Sequence, residues 1–113
     1  MAIVRIYTGS DGKSHMEELD LASNPDLTTL HDAQGILFRT SEVGSFSDFH
    51  NAPRRQYVIT LSGGMEIGLA DGTVRSFGPG DVLVAEDVTG QGHTTRMIGD
   101  EPRVSATIPL PEA

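Results

Sequence analysis

The chain alternates short apolar runs with clusters of turn-forming residues, and from residue 35 onward the alternation is nearly regular. Runs at 36–40, towards His50, and at 56–61, 65–70, 73–77, 82–85, 93–98 and 104–108 are punctuated by Gly-rich turns. The clearest turns are Ser62-Gly63-Gly64, Asp71-Gly72, Gly78-Pro79-Gly80-Asp81, Gly90-Gln91-Gly92 and Gly99-Asp100-Glu101-Pro102. Runs this short, spaced about ten residues apart, predict eight strands in an antiparallel sandwich or barrel. Asp71-Gly72 predicts a type I′ hairpin, which requires positive φ at both central residues. Residues 2–7 predict one further strand, closed by Gly9-Ser10-Asp11-Gly12. The polar segment 13–34 has no long helical period, and Pro25 after Asn24 interrupts it. It is expected to form an arm that wraps the barrel or lends a strand to a partner subunit. The expected organisation is one all-β domain, with an N-terminal strand and arm at 1–34 and the barrel at 35–113.

Alternation of faces puts Gln56, Val58 and Thr60 on one side of their strand and Tyr57, Ile59 and Leu61 on the other. The same rule sets His50 beside Ala52, with Asp48 on that side where the strand is regular. If the strands of His50 and Gln56 are neighbours, both side chains point at one interior spot, which His93 would reach by long-range pairing. Phe38, Phe46, Phe49 and Phe77 read as core, as do Met65 and Met97. His15 and His31 lie outside the runs and are expected to be polar surface positions without a site role.

Composition narrows the function classes. At 113 residues the chain can bury one self-sufficient core. A formal net charge of −8 argues against nucleic acid or an anionic membrane as partner, since both require a positive footprint. With no cysteine there is no disulfide, thiolate ligand or thiol nucleophile. The N-terminus lacks the apolar segment of a signal peptide, and no stretch approaches the roughly 18 apolar residues of a membrane span, so a soluble cytoplasmic protein is expected. Ser62 has no strand-to-helix elbow around it, and Gly78-Pro79-Gly80 leads into a strand and not the helix of a phosphate loop.

One constellation remains. Gly44, five residues, His50, one residue, Ala52, three residues, Gln56, six residues and Gly63 keep the spacing of the first conserved block of the cupin superfamily, whose second histidine and glutamate fall at Ala52 and Gln56. Gly80-Asp81-Val82 followed by His93 resembles the second block, with Glu86 where proline is usual, a longer loop at 87–92, and Met97 in place of asparagine. The chain thus resembles small bacterial single-domain cupins. The resemblance implies a cupin-type jelly roll, a homodimer, and a small organic ligand in a cavity near His50, Gln56 and His93. It also implies a divalent transition metal (Fe, Mn, Ni or Zn) held by those three residues, with Asp48, Glu86 or Asp87 as candidates to restore the missing carboxylate. Two imidazoles and a neutral amide make a weak ligand set. The other chemistry open to these residues is acid–base catalysis by His50 or His93, with Arg55 or Tyr57 stabilising negative charge. Arg54 and Arg55 could also grip an anionic group. An isomerase, cyclase, lyase or dioxygenase is expected on this reading; the alternative is a non-catalytic small-molecule sensor.

Overall fold

A computed structural model of the chain describes residues 1–112. Its strands are β1 (Ile3–Thr8), β2 (Ser14–Glu18), β3 (Leu37–Ser41), β4 (Phe46–His50), β5 (Gln56–Ser62), β6 (Gly64–Gly68), β7 (Val74–Phe77), β8 (Val82–Glu86), β9 (His93–Ile98) and β10 (Arg103–Pro109). They form a six-stranded sheet in the order β2-β1-β8-β5-β10-β3 and a four-stranded sheet in the order β4-β9-β6-β7. The two sheets close around an apolar core as a jelly roll. Val4, Ile6, Leu83 and Ala85 from the large sheet meet Met65, Ile67 and Phe77 from the small one, all of them buried. Among the described residues no helix is long and apolar enough to cross a membrane.

Residues 1–34 do more than pack on the barrel. β1 lies between β2 and β8 as an interior strand of the large sheet, pairing with β8 in parallel and with β2 antiparallel. β2 was hidden in the polar segment because it is an edge strand, where polar residues are favoured. Only its inward positions show strand chemistry: Ser14 is buried, and Met16 packs on the core. The rest of the arm is a 3₁₀ turn at Leu21–Ser23 and a four-residue helix, α1 (Pro25–Thr28).

Three other expectations change. The β6–β7 turn is not type I′: among the described residues only glycines have positive φ, and the Gly72 N–H closes onto the Leu69 carbonyl at 3.0 Å with φ +91° at Gly72. Asp71 keeps negative φ, which suits a type I turn followed by a left-handed glycine. Of the four phenylalanines only Phe77 is core; Phe38, Phe46 and Phe49 are exposed. Phe38 sits on edge strand β3 opposite Ala106, and Phe46 lies under the Arg96 guanidinium. Asp48 does not share the inward face of His50, because the β4–β9 register shifts between Ser47 and His50.

Candidate functional site

That register shift builds the site. Ser47 opposes Thr95, so an unbroken antiparallel ladder would set Phe49 against His93 and turn His50 outward. The bulge inserts one residue and makes His50 the direct partner of His93, with their ring centroids 4.7 Å apart. Gly92 permits the approach. It has φ +78°, and a methyl there would overlap the His50 carbonyl.

His50, Gln56 and His93 line one cavity of about 120 Å³, together with Ala52, Val58 and Thr95. Met65, Ile67, Leu83 and Ala85 make it apolar below, and His50, exposed, stands at its mouth. Gln56 enters by the parity of β5, Ala52 from the chain just past β4. Among the described residues the Gln56 amide has no hydrogen-bond partner on the protein, so its donors and its carbonyl remain available to a ligand.

Both imidazoles are oriented through Nδ1. His93, 5% exposed, donates from Nδ1 to Asp87 Oδ2 at 2.6 Å, and the same oxygen accepts the Ser14 hydroxyl at 2.7 Å. His50 donates from Nδ1 to the Asp48 carbonyl at 2.7 Å. Each ring in its neutral form therefore keeps its lone pair on Nε2. Asp87 is completely buried, and its Oδ1 has no protein partner. A buried carboxylate is costly unless paired, so Asp87 is held in place by the His93 ring it orients.

The other candidates lie elsewhere. Arg55 and Tyr57 line a separate groove on the outer face of the large sheet, away from His50 and His93. The cause is parity: Tyr57 opposes Val84, one step out of phase with Gln56 and Ala85. Neither can reach charge developing in the inner cavity. Glu86 also turns outward, where it accepts from Arg5 Nε and, at 2.8 Å, from Arg55 Nε. Burial alone would raise its pKa, but the hydrogen bonds from Arg5 and Arg55 bring it below the ordinary value. Asp48 is exposed and takes its own neighbour's N–H at Phe49. Among the described residues no third His, Cys, Asp or Glu joins His50 and His93 as a metal ligand.

Two participants were missed. Ser14 lay in a segment read as an arm, and only its place opposite Thr8 in a hairpin exposes it as the second partner of Asp87. His31 bonds to Tyr57. The role of Asp87 itself was readable from β8, where Leu83 and Ala85 face inward and position 87 continues their phase.

No protein-family model matches the chain, and no curated protein matches it. Solved structures similar to it include a conserved protein of unknown function from Streptococcus pyogenes, with 22% identity over 74% of this chain and 70% of that one and a TM-score of 0.48. An RmlC-like cupin protein from Desulfovibrio desulfuricans has 19% identity over 96% and 81%, with a TM-score of 0.47. A dTDP-4-dehydrorhamnose 3,5-epimerase from Bacillus anthracis, solved with TDP and pyrophosphate bound, has 14% identity over 97% and 71%, with a TM-score of 0.43.

Proposed function

We propose that the inner cavity is a proton-transfer site acting on one end of a small organic molecule. The observation that carries this reading is the buried Asp87–His93 pair. A carboxylate bound to Nδ1 fixes the tautomer, aims Nε2, and stabilises the imidazolium that forms when Nε2 takes a proton. Gln56 offers an amide N–H to an oxygen that gains charge as the proton leaves carbon. His50 at the mouth can return the proton or pass it to water. A cavity of about 120 Å³ holds only the reacting end, well below the roughly 300–1,000 Å³ of sites that enclose a whole ligand. The chemistry that suits this set is removal of a proton next to a carbonyl, the opening step of an isomerisation or an elimination.

The test is solvent deuterium exchange into hydroxyacetone, dihydroxyacetone and pyruvate, followed by NMR. Exchange above the buffer rate is expected, falling at least about a hundredfold in His93→Gln, the contribution typical of a positioned base. Absence of exchange from all three would favour the sensor reading.

A second reading has its own support. With Nδ1 of both rings engaged and the ring centroids 4.7 Å apart, the two Nε2 lone pairs suit one divalent ion, and Gln56 Oε1 is a third donor. The set fits iron, manganese, nickel or zinc weakly, through two imidazoles and a neutral amide. Such an ion, when bound, supplies Lewis-acid polarisation of a ligand oxygen. Metal analysis of fresh protein separates the two readings. Gln56→Glu should tighten binding of the same ion in a calorimetric titration, and equal or weaker affinity counts against Gln56 as a ligand.

A homodimer belongs to the same proposal. Phe38 and Leu61, both exposed, lie on the outer face at the β3 side of the large sheet and would be covered by a second copy. Sedimentation tests this, with a monomer at all concentrations as the contrary result.

A further inference from the structure

We infer that the groove between the arm and the outer face of the large sheet is a second binding site, for a small organic ammonium compound with an apolar body. The groove encloses about 480 Å³, against about 120 Å³ for the histidine cavity. That volume lies within the range of sites that enclose a whole small ligand. One wall is sheet, with Tyr57 and Val84; the other is arm, with Leu19 and Leu27, and Leu110 closes the side. These apolar groups would bury the body of the ligand.

Charge and hydrogen-bond accounting select its head. Four carboxylates line the groove, those of Asp26, Asp32, Glu86 and Glu112, against two guanidiniums, Arg5 and Arg55. Both cations are already engaged. Arg5 holds Glu86 and, at 2.9 Å, Glu17; Arg55 holds Glu86 and donates to the Pro111 carbonyl at 3.0 Å. Asp26, Asp32 and Glu112 have no cationic partner among the described residues.

The His31 and Tyr57 donors are spent too. His31 donates from Nδ1 to the Thr29 carbonyl at 2.7 Å, so its Nε2 accepts the Tyr57 hydroxyl proton at 2.6 Å. The Tyr57 oxygen is left as an acceptor. Burial raises the Tyr57 pKa and Arg55 lowers it, while Glu86 and Asp26 raise it further, so the phenol keeps its proton at neutral pH. An anion entering this groove would find few free donors and several uncompensated carboxylates. An ammonium group would find the unpaired carboxylates and the Tyr57 oxygen as acceptors. Because His31 ties the arm to the sheet, occupancy would also hold the arm down.

The probe is phenethylamine, compared with 3-phenylpropanoate of similar size, titrated into the labelled full-length protein at low salt while NMR follows the Tyr57 ring and the His31 imidazole. The expected result is a saturable shift with the amine, affinity at least about tenfold weaker for the carboxylate, and no movement of His50 or His93. Asp26→Asn with Asp32→Asn should weaken the amine about fivefold, as loss of partly exposed ion pairs implies, and rising ionic strength should weaken it in the unaltered protein. Four results would overturn the inference: no saturable shift at Tyr57 and His31, equal affinity for the carboxylate, an affinity indifferent to both the substitutions and salt, or shifts at these residues that depend on protein concentration alone and so report a second copy in the groove.

Discussion

Glu86 and Asp87 are neighbours in sequence and serve opposite sides of one sheet. Asp87 points inward and is completely buried, with a neutral hydroxyl and one imidazole both on Oδ2 and no protein partner for Oδ1. Glu86 points outward, keeps some contact with water, and is satisfied by two guanidiniums. The same division runs through β5, where Gln56 enters the small inner cavity and Tyr57 enters the larger outer groove. The inner site is tight, apolar and short of charge, which suits chemistry on a few atoms. The outer one is wide and rich in carboxylates, which suits recognition. A one-residue step along a strand decides which of the two a side chain serves.

The inner site is disturbed most severely by a change at Gly92. Its positive φ and its contact with the His50 backbone make Gly92→Ala costly, by about 3 kcal/mol in urea unfolding, where strain at a special backbone position is one of the few large single-site effects. The outer groove lies on the other sheet and should keep its ligand in the fraction that folds. A cost below about 1 kcal/mol would mean that β4 and β9 do not meet as closely as described.

Asp87→Asn comes next. It keeps the shape and removes the charge, so a charge-assisted hydrogen bond becomes an ordinary one, at about 2 kcal/mol. Proton exchange by the inner site should fall with it, while amine binding outside should not change. Loss of both together would join the two sites into one unit.

Glu86→Gln is the mildest change. Its partners Arg5 and Arg55 are about a third exposed, so solvent screening limits the loss to about 1 kcal/mol. The pH dependence has a definite sign. Glu86 titrates below its ordinary 4.5 in the folded protein, so its contribution is complete above that value and is lost as pH falls through the folded pKa. The substitution should flatten the acid limb of stability below about pH 4.5 and leave the neutral region nearly parallel. An unchanged acid limb would show that Glu86 is not the carboxylate responsible.

The fold was largely legible because jelly-roll strands are short, Gly-bounded and two-sided, and runs such as 82–85 and 93–98 carry that pattern openly. β2 was not, since one buried Met16 and one buried Ser14 leave an edge strand looking like a polar arm. Parity placed Gln56 inward and Tyr57 outward from sequence alone. Assigning Tyr57 and Arg55 to the histidine cavity contradicted that parity, and the sheet separates them. The bulge at Ser47–His50 was invisible because nothing in Asp48-Phe49 marks an inserted residue; yet that insertion turns His50 to face His93. The outer groove depends on an arm folding back through His31 and Tyr57, 26 residues apart, a contact no local pattern encodes.

The chemistry proposed for the inner site depends on Asp87 holding His93 with its Nε2 lone pair free. Long-range proton–nitrogen NMR of the imidazoles reads this directly. In its neutral form His93 is expected to carry its proton on Nδ1 with Nε2 bare, and the preference should be lost or reduced in Asp87→Asn. A His93 protonated on Nε2, with Nδ1 bare beside Asp87, would contradict it.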